Sequence, residues 1–290
     1  MKVYCILSDE RAFHSRSPAM FSTVLKRQGI NAVYVPFAID PAALGQALEA
    51  LRVLHIAGAN VTAPFKEAII PHLDVLSEGA RIIGAINTIV RDNGHLKGYN
   101  TNAIGIMDAL GSAGFSVEDK TALVFGTGGA ARTVAFTLTW LRAREVWVAG
   151  RNVERARAIA AQFGARGVEL SLLPDLPLPA RIVINATSVS SPEEAAELAH
   201  VVDGLELRGC ELIVDLNYGR RRNFWQEKAE REGIPFMDGL KALAYQARRT
   251  LQLWTGIQVP PDEFLETIRE GDMRAAPPAG PALRRDAAGP

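Results

Sequence analysis

Two successive series of short β-prone runs and helical stretches are the feature that most restricts the fold of this 290-residue chain. In the first hundred residues, the runs KVYCIL, AVYVPFAI and LHIAGAN alternate with helical patterns. A second series begins near Thr121 and includes TALVFG, EVWVAG, RIVINATS and ELIVDLNY. Because strands that alternate with helices are typical of parallel sheets, the sequence predicts an α/β protein with two domains.

Several local signals place helices and turns in the first series. Ser17 precedes Pro18, and Asp40 precedes Pro41, as is typical of helix starts. A further helical stretch is predicted near residues 64–80. The pair Asn93-Gly94 lies between two β-prone runs, which predicts a hairpin with a type I′ turn.

Composition excludes several classes of function. Thirty-two basic residues balance 32 acidic ones, so no global field favours nucleic acid or an anionic membrane. Cys5 and Cys210 are the only cysteines, and the five histidines show no metal-ligand spacing, so we expect no metal site. The N-terminal apolar stretch is too short for a signal peptide, and no run approaches ~18 apolar residues. We therefore expect a cytoplasmic monomer or homodimer with a small-molecule partner.

A glycine-rich turn opens the second series. In VFGTGGAAR, Gly126, Gly128 and Gly129 lie between a predicted strand and a predicted helix, together with Thr127 and Ala130. Bare backbone there can approach a pyrophosphate at the positive N-terminus of the helix. A tight turn with glycines for packing alone is the alternative, but the next strand and helix also fit a dinucleotide site.

Two arginines indicate which dinucleotide is bound. An NAD site requires an acidic residue after the next strand, to hold the ribose 2′-hydroxyl. Here the chain reads AGRNVER, which places Arg151 and Arg155 where a 2′-phosphate needs counter-charge. These arginines could also belong to a solvated helix start. We favour NADP as the cofactor.

Several motifs, each weak alone, stand together in one order along the chain. They are HSRSPAMF (14–21), NVTAPFK (60–66), GAINT (84–88), GYNTNAIG (98–105), GTGGAAR (126–132), INATS (184–188) and DGLKALAYQ (238–246). Through them, residues from about 3 to 256 resemble the shikimate dehydrogenase family, which includes quinate/shikimate and aminoshikimate enzymes. The resemblance implies NADP-dependent, reversible reduction of 3-dehydroshikimate to shikimate, on the route to chorismate and the aromatic amino acids.

The resemblance also implies the domain organisation. Residues 1–101 and the C-terminal helices of 238–270 would form a mostly parallel α/β substrate domain. Residues 102–237 would form a Rossmann-like NADP-binding domain, and the substrate would bind in the cleft between the two. Residues 271–290 are rich in Pro, Ala and Gly, so we expect a disordered tail.

Roles for individual residues follow from the matched motifs. The lysine of NVTAPFK, Lys66, would exchange the proton on the carbon-bound oxygen while hydride moves to or from nicotinamide. A lone lysine at a helix start is usually a solvated cation, so this role depends on the resemblance. The residues expected to hold the substrate carboxylate or ring hydroxyls are Ser15, Ser17, Thr62, Asn87, Asn102, Tyr218 and Gln246. Those expected on the cofactor side, besides the glycine loop and the arginines, are Thr187, Ser188, Leu216, Gly239 and Glu78.

The chain departs from the family pattern at three places. The family motif NTD, which supplies a Lys-Asp pair, reads NTN here, so Asn102 replaces the aspartate and Lys66 should lose its proton more easily. The run GRRRNFW follows Tyr218 and could be a phosphate-facing cluster or a solvated loop. Lys241 and Ala242 replace a small residue and a bulky methionine-like one.

These departures keep alternatives open. The chain could act on quinate or aminoshikimate, or it could be a catalytically weak protein that binds ligand and cofactor as a sensor. A different Rossmann enzyme, such as a methylene-tetrahydrofolate dehydrogenase, is disfavoured because HSRS and NVTAPFK occur together.

Overall fold

The first series of strands folds into a six-stranded sheet. A computed structural model describes residues 1–176 and 179–275, with side chains through residue 269. The strand order is β2-β1-β3-β5-β6-β4, and only β5 runs antiparallel to its neighbours. The strands are β1 (Lys2–Ser8), β2 (Ala32–Ala38), β3 (Gly58–Val61), β4 (Val75–Leu76), β5 (Thr88–Asp92) and β6 (His95–Tyr99).

The predicted hairpin joins β5 and β6. Asp92 pairs with His95, so the loop has two residues. Asn93 and Gly94 adopt positive φ angles of 48° and 84°. Positive φ at both central positions defines a type I′ turn, and the prediction is confirmed.

The helices along this part of the chain are α1 (Ser17–Arg27), α2 (Leu44–Val53), α3 (Phe65–Ala68) and α4 (Glu78–Ile83). Helix α5 (Thr101–Ser112) follows β6, and its Ile106 and Leu110 pack with strands of a second sheet. The prediction of one helix near 64–80 is wrong, since α3, a 3-10 turn (Ile70–His72), β4 and the start of α4 occupy this stretch. Pro71 lacks the N–H that a continuing helix needs, so α3 remains short.

The second series forms a six-stranded sheet that is parallel throughout. The strand order is β12-β11-β10-β7-β8-β9, as in doubly wound nucleotide-binding folds. Its strands are β7 (Thr121–Phe125), β8 (Glu145–Gly150), β9 (Arg166–Glu169), β10 (Ile182–Asn185), β11 (Leu212–Asp215) and β12 (Phe236–Met237). Its helices are α6 (Gly129–Trp140), α7 (Val153–Phe163), α8 (Ala196–Asp203) and α9 (Phe224–Glu232).

Helices cover both faces of the second sheet. Because side chains alternate along a strand, Val124 packs into one hydrophobic core, whereas Leu123 and Phe125 pack into the other. In the second of these cores, the Phe125 and Trp225 rings meet edge to face at 4.6 Å. Burial on both faces explains why β7 reads as an apolar run rather than an alternating one.

The last two helices, α10 (Leu240–Thr255) and α11 (Pro261–Ala275), return to the first sheet as predicted. The Trp254 ring stacks on Tyr4 at 4.5 Å, and its Nε1 donates to the Ile89 carbonyl oxygen at 2.9 Å. Phe264 of α11 contacts Phe21 of α1 at 5.8 Å between ring centroids. These aromatic contacts close the core of the first domain.

The predicted disordered tail starts too early. Helix α11 continues to Ala275, so residues 271–275 are helical. Methionine, arginine and alanine in this segment favour a helix, whereas the Pro-rich and Gly-rich composition begins only after it. The remainder of the predicted tail, 276–290, lies outside the described residues.

Candidate active site

A cleft of about 1150 Å³ is lined by residues that follow strands of both sheets. Thr62 follows β3 of the first sheet, whereas Gly126, Arg151 and Leu216 follow β7, β8 and β11 of the second. Ligands of open α/β sheets bind beyond the carboxyl ends of the strands. A ligand in this cleft would therefore contact both domains.

Almost all residues that the sequence assigns to catalysis, substrate or cofactor line this cleft. On the side of the first sheet they are Ser15, Ser17, Thr62, Lys66, Asn87, Asn102 and Gln246, and Tyr218 joins them from the second sheet. On the side of the second sheet they are Gly126, Thr127, Gly128, Gly129, Ala130, Arg151, Arg155, Thr187, Ser188, Leu216 and Gly239. The fold thus brings together motifs that are far apart in the sequence.

Glu78 is the exception, because it does not line the cleft. It is the first residue of α4, and the preceding Ser77 caps that helix by accepting from the Ala80 backbone N–H. A carboxylate in the first turn of a helix is stabilised by the helix dipole. Helix capping explains an acidic residue at this position, and the expected cofactor contact of Glu78 is not supported.

The glycine loop leaves open backbone toward the cleft. Gly126 has a φ of +122°, and a Cβ added there would lie 2.9 Å from the Ala186 carbonyl oxygen, so only glycine fits. Gly128 caps α6, and an added Cβ would meet nothing within 4 Å. The N-terminus of α6 is therefore accessible to an anion such as a pyrophosphate.

The two arginines after β8 lie at the edge of the cleft. Both Arg151 and Arg155 are exposed, and neither forms an ion pair with any side chain that the structure describes. Asn152 lies between them and caps α7 by accepting from the Arg155 backbone N–H at 3.0 Å. This cap fixes the backbone that carries both cations, which leaves their guanidinium groups available to a phosphate.

A buried carboxylate holds the loops that follow β10 and β11. Asp215 is fully buried and accepts from the amides of Asn185 at 2.8 Å, Asn217 at 3.1 Å and Asn223 at 2.7 Å. Asn217 also donates to the Thr187 carbonyl oxygen at 2.9 Å. These bonds fix the segment carrying Thr187 in the wall of the cleft.

Gly239 is required by the packing of the loop that carries Leu216. A Cβ added to Gly239 would lie 2.1 Å from the Leu216 carbonyl oxygen, so no side chain fits there. The Gly239 N–H donates to the Asn217 carbonyl oxygen at 3.0 Å. The start of α10 is thereby joined to the end of β11 beside the cleft.

Lys66 lies half-buried in the short helix α3, between the two domains. A Cβ added to Gly129, at the start of α6, would lie 3.0 Å from the Lys66 Cβ. Burial lowers the pKa of Lys66 to about 8. No carboxylate of the described residues forms an ion pair with it. Lys66 is therefore not a solvated surface cation, and its ammonium group can release a proton close to neutral pH.

A hydrogen-bonded amide cluster is centred on Asn87, and the N–H of the preceding Ile86 donates to the Lys66 carbonyl oxygen at 2.9 Å. The Asn87 Nδ2 lies 3.0 Å from Asn102 Oδ1, 3.0 Å from Gln246 Oε1 and 2.8 Å from Thr101 Oγ1. The Thr101 hydroxyl in turn lies 3.0 Å from that of Thr250. Asn87 and Gln246 are buried, and Asn102 is half-buried. The cluster joins β5, α5 and α10 and fixes the three amides that line the cleft.

Ser15, Ser17 and Tyr218 lie at the other end of the cleft. The buried Ser17 begins α1, and its N–H donates to Ser15 Oγ at 3.2 Å. The Arg16 guanidinium lies 5.4 Å from the centroid of the Tyr218 ring, a cation–π contact across the domain interface. Burial raises the pKa of Tyr218, so its hydroxyl remains a hydrogen-bond donor at neutral pH.

The arginines after Tyr218 do not form one phosphate-facing cluster. Arg220 lines the cleft but pairs with Glu194 at 2.9 Å. Arg222 pairs with Glu193 at 3.5 Å and with Glu227 at 3.3 Å. Most of their charge is therefore balanced by neighbouring carboxylates.

Position 242 shapes the cleft, and position 241 does not. Ala242 lines the cleft, so its small side chain leaves space that a bulkier residue would fill. Lys241 instead lines a separate groove between α5 and β12, together with Phe115 and Asp238. Of the two substitutions, only Ala242 can alter the shape of the ligand pocket directly.

Several cleft residues were not singled out from the sequence. Asn152 and Glu194 line the cofactor side, and Asn60 lines the substrate side. Asn152 stands between the two arginines already identified, so its position in AGRNVER was a usable signal. Glu194 carries no such signal, because its place depends on how the loop before α8 folds back.

The described residues contain no group of three or more His, Cys, Asp or Glu side chains that could hold a metal ion. None of the helices in the same part of the chain is both long and apolar enough to cross a membrane. Cys5 and Cys210 are free and buried, and burial raises the pKa of both thiols.

Two family models match consecutive parts of the chain. Residues 10–89 match the shikimate dehydrogenase substrate binding domain, and residues 109–234 match shikimate / quinate 5-dehydrogenase. A Moorella thermoacetica protein named shikimate dehydrogenase (NADP(+)) is 35% identical over 94% of this chain and 94% of its own length.

Solved structures with the same architecture carry related names. The shikimate dehydrogenase of Aquifex aeolicus has a TM-score of 0.83 and 32% identity, and covers 93% of this chain and 98% of its own. The shikimate 5-dehydrogenase of Thermus thermophilus, in complex with NADP(H) and shikimate, has a TM-score of 0.81 and 35% identity. That match covers 93% of this chain and 99% of the other.

Proposed function

The chain belongs to the shikimate dehydrogenase family, and from that premise we propose that it catalyses the reversible, NADP-dependent reduction of 3-dehydroshikimate to shikimate. The observation that carries this proposal is the single cleft that Lys66 shares with the glycine loop. The close packing of Gly129 on Lys66 supports a direct approach of a cofactor to the reacting carbon.

We propose residues 1–101 and 238–270 as a substrate domain and residues 102–237 as a cofactor domain. The two sheets and the return of α10 and α11 to the first sheet support these boundaries. Helix α5 begins at Thr101, so the proposed boundary falls where β6 gives way to that helix.

The residues of the cofactor domain fit an NADP molecule. Gly128 leaves open backbone at the N-terminus of α6 for the pyrophosphate. Arg151 and Arg155 carry charges that no carboxylate of the described side chains balances, which suits a 2′-phosphate. NADPH, when bound, supplies the hydride for the reduction.

Lys66 is the proposed acid and base. In the reducing direction its ammonium group donates a proton to the carbonyl oxygen as the carbonyl carbon is reduced, which gives the alcohol and a neutral amine. The same ammonium group stabilises negative charge that develops on the oxygen. A pKa of about 8 lets the group work in both directions near neutral pH.

The remaining polar residues would hold the substrate in place. Ser15 and Ser17, at the start of α1, suit a carboxylate, and Tyr218 would reach it from the cofactor domain. Thr62, Asn87 and Gln246 would bind ring hydroxyls. Leu216, Thr187, Ser188 and Gly239 would line the nicotinamide half of the cleft.

We further propose that this reaction occurs in the cytoplasm, because the two cysteines of the chain are free thiols, which suits a reducing compartment. The partner is a small acidic substrate rather than a macromolecule. Light scattering after size exclusion would distinguish a monomer from a homodimer.

A steady-state assay tests the proposed function. Shikimate, quinate and aminoshikimate are each oxidised with NADP and with NAD, and product formation is followed by absorbance. We expect the largest kcat/KM for shikimate with NADP. A larger kcat/KM for quinate or aminoshikimate would reassign the substrate, and ligand binding without turnover would favour a sensor.

A further inference from the structure

A single backbone hydrogen bond determines the orientation of the amide cluster beside Lys66. The Thr101 N–H donates to Asn87 Oδ1 at 2.7 Å. A backbone N–H can only donate, so the oxygen of Asn87 must face the Thr101 N–H, and the other end of the amide is its nitrogen. Asn87 is buried, so water has little access to this hydrogen bond.

The orientation of Asn87 determines those of its two neighbours. Its Nδ2 lies 3.0 Å from the side chain of Asn102 and 3.0 Å from that of Gln246. An amide nitrogen only donates, so a neighbouring amide nitrogen would meet it donor to donor, and both neighbours face it with their oxygens, which share its two N–H groups with Thr101 Oγ1 at 2.8 Å. The Thr101 hydroxyl, 3.2 Å from Gln246 Oε1, supplies a second donor to that oxygen.

The amide nitrogens of Asn102 and Gln246 consequently point away from Asn87 and are not used within the cluster. Both side chains line the cleft, and no acceptor in the described part of the chain receives a hydrogen bond from either nitrogen. Lys66 lines the same cleft, and no carboxylate of the described residues pairs with it. Its carbonyl oxygen accepts from the N–H of Ile86, the residue before Asn87, at 2.9 Å. Three side chains that can donate hydrogen bonds therefore line the cleft; we call Lys66, Asn102 and Gln246 the donor wall.

We propose that the donor wall makes this enzyme select ligands by hydrogen-bond polarity, favouring a ketone oxygen over a hydroxyl and a hydroxyl over an ammonium group. The inference rests on the proposed function, since it concerns the same cleft and the same substrate class. An aspartate at position 102 would accept from Asn87 with one oxygen and offer the other to the ligand. Asn102 offers a donor there instead.

The preference follows from what each ligand group can satisfy. A ketone oxygen only accepts, so the donor wall matches it. While Lys66 is an ammonium group, a hydroxyl can accept from the wall but its own proton finds no acceptor in it, and an unmatched polar group costs binding free energy. An ammonium group only donates and also carries the same charge as Lys66.

Equilibrium binding without cofactor tests this inference. The dissociation constants of 3-dehydroshikimate, shikimate and aminoshikimate are measured by calorimetry at pH 7 with the unmodified protein and with Asn102→Asp. We expect the unmodified protein to bind 3-dehydroshikimate roughly tenfold or more tightly than shikimate, and aminoshikimate least tightly. Asn102→Asp should reduce the ratio between the first two at least tenfold.

A second variant, and the binding ratio of the unmodified protein by itself, provide two further checks. Gln246→Glu replaces the second free amide by a carboxylate and should reduce the same ratio. Equal binding of ketone and alcohol by the unmodified protein would overturn the inference, and so would an unchanged ratio in variants whose circular dichroism shows that they fold. Binding of neither compound would overturn the proposed function itself, and this inference with it.

Discussion

Two networks of amide side chains lie beside the cleft, and they terminate differently. In the cofactor domain, the amides of Asn185, Asn217 and Asn223 all donate to the carboxylate of Asp215, which is fully buried. The amide nitrogens of all three asparagines therefore have acceptors within the protein, and the network holds two loops in place.

On the substrate side of the cleft, the corresponding network terminates on amides. Asn87 donates to the oxygens of Asn102 and Gln246, and their nitrogens then face the cleft with no protein acceptor in the described part of the chain. A central carboxylate thus provides acceptors for the amide nitrogens around it, whereas a central amide leaves the nitrogens of its neighbours available to a ligand.

The largest expected effect comes from removing the charged member of the donor wall. Lys66→Ala should lower kcat for 3-dehydroshikimate reduction by ~100 to 10,000-fold, because proton transfer and oxyanion stabilisation are both lost. The melting temperature should hardly change, since Lys66 is not part of a hydrophobic core. Stopped-flow measurement of NADPH absorbance checks the rate.

Lys26→Ala, which removes an exposed lysine of α1, serves as the control. Equal rates for Lys66→Ala and this control would contradict the assigned role.

The next largest effect is expected from substitutions that exchange amide and carboxylate in the two networks. Asp215→Asn replaces one buried acceptor oxygen by a donor nitrogen, which leaves at least one buried amide N–H facing another donor, so the free energy of unfolding should fall by about 3 kcal/mol. Asn102→Asp places a carboxylate at the edge of a cleft beside Lys66, and stability should change by less than about 1 kcal/mol. Urea unfolding curves of both variants provide the measurement. Comparable losses of stability would show that the two networks do not differ as described.

A smaller effect is expected on the preference of the protein for NADP over NAD. Arg151→Ala should weaken NADP binding by about 1 to 3 kcal/mol and NAD binding much less, because only NADP carries the 2′-phosphate. Arg157→Ala is the matched control, since Arg157 lies on the helix that follows Arg151 and already pairs with Glu154 at 2.7 Å. Fluorescence titration with both cofactors decides the matter, and an equal loss for NADP and NAD would exclude Arg151 from the phosphate site.

Much of the fold could be predicted from local patterns. The strand–glycine–helix segment around Gly126 predicted the second sheet, and Asn93-Gly94 predicted the hairpin, because each pattern has a conformational requirement that few other structures meet. The helix near 64–80 was predicted wrongly, because the interruption at Pro71 and the two-residue strand β4 leave too little periodicity to read.

The site could be predicted only in part. The motifs predicted residues that line the cleft, whereas Glu78, which the resemblance placed near the cofactor, lies outside the cleft lining at the start of α4. The orientations of Asn102 and Gln246 depend on Asn87 and on the Thr101 N–H, and those contacts join segments of the chain that are far apart. Burial of Lys66, which lowers its pKa, likewise comes from the packing of α6 and is absent from the sequence.

The most direct test of the account is the pH dependence of kcat for 3-dehydroshikimate reduction, compared between the unmodified protein and Asn102→Asp. Reduction requires the Lys66 ammonium group, so the rate of the unmodified protein should fall as the pH rises through about 8. A carboxylate beside the lysine favours the charged form, so in Asn102→Asp this fall should move upward by about 1 to 3 pH units, with little change at pH 7. A rate that does not fall near pH 8, or a profile that the substitution leaves unmoved, would contradict the assignment of Lys66 as the proton donor.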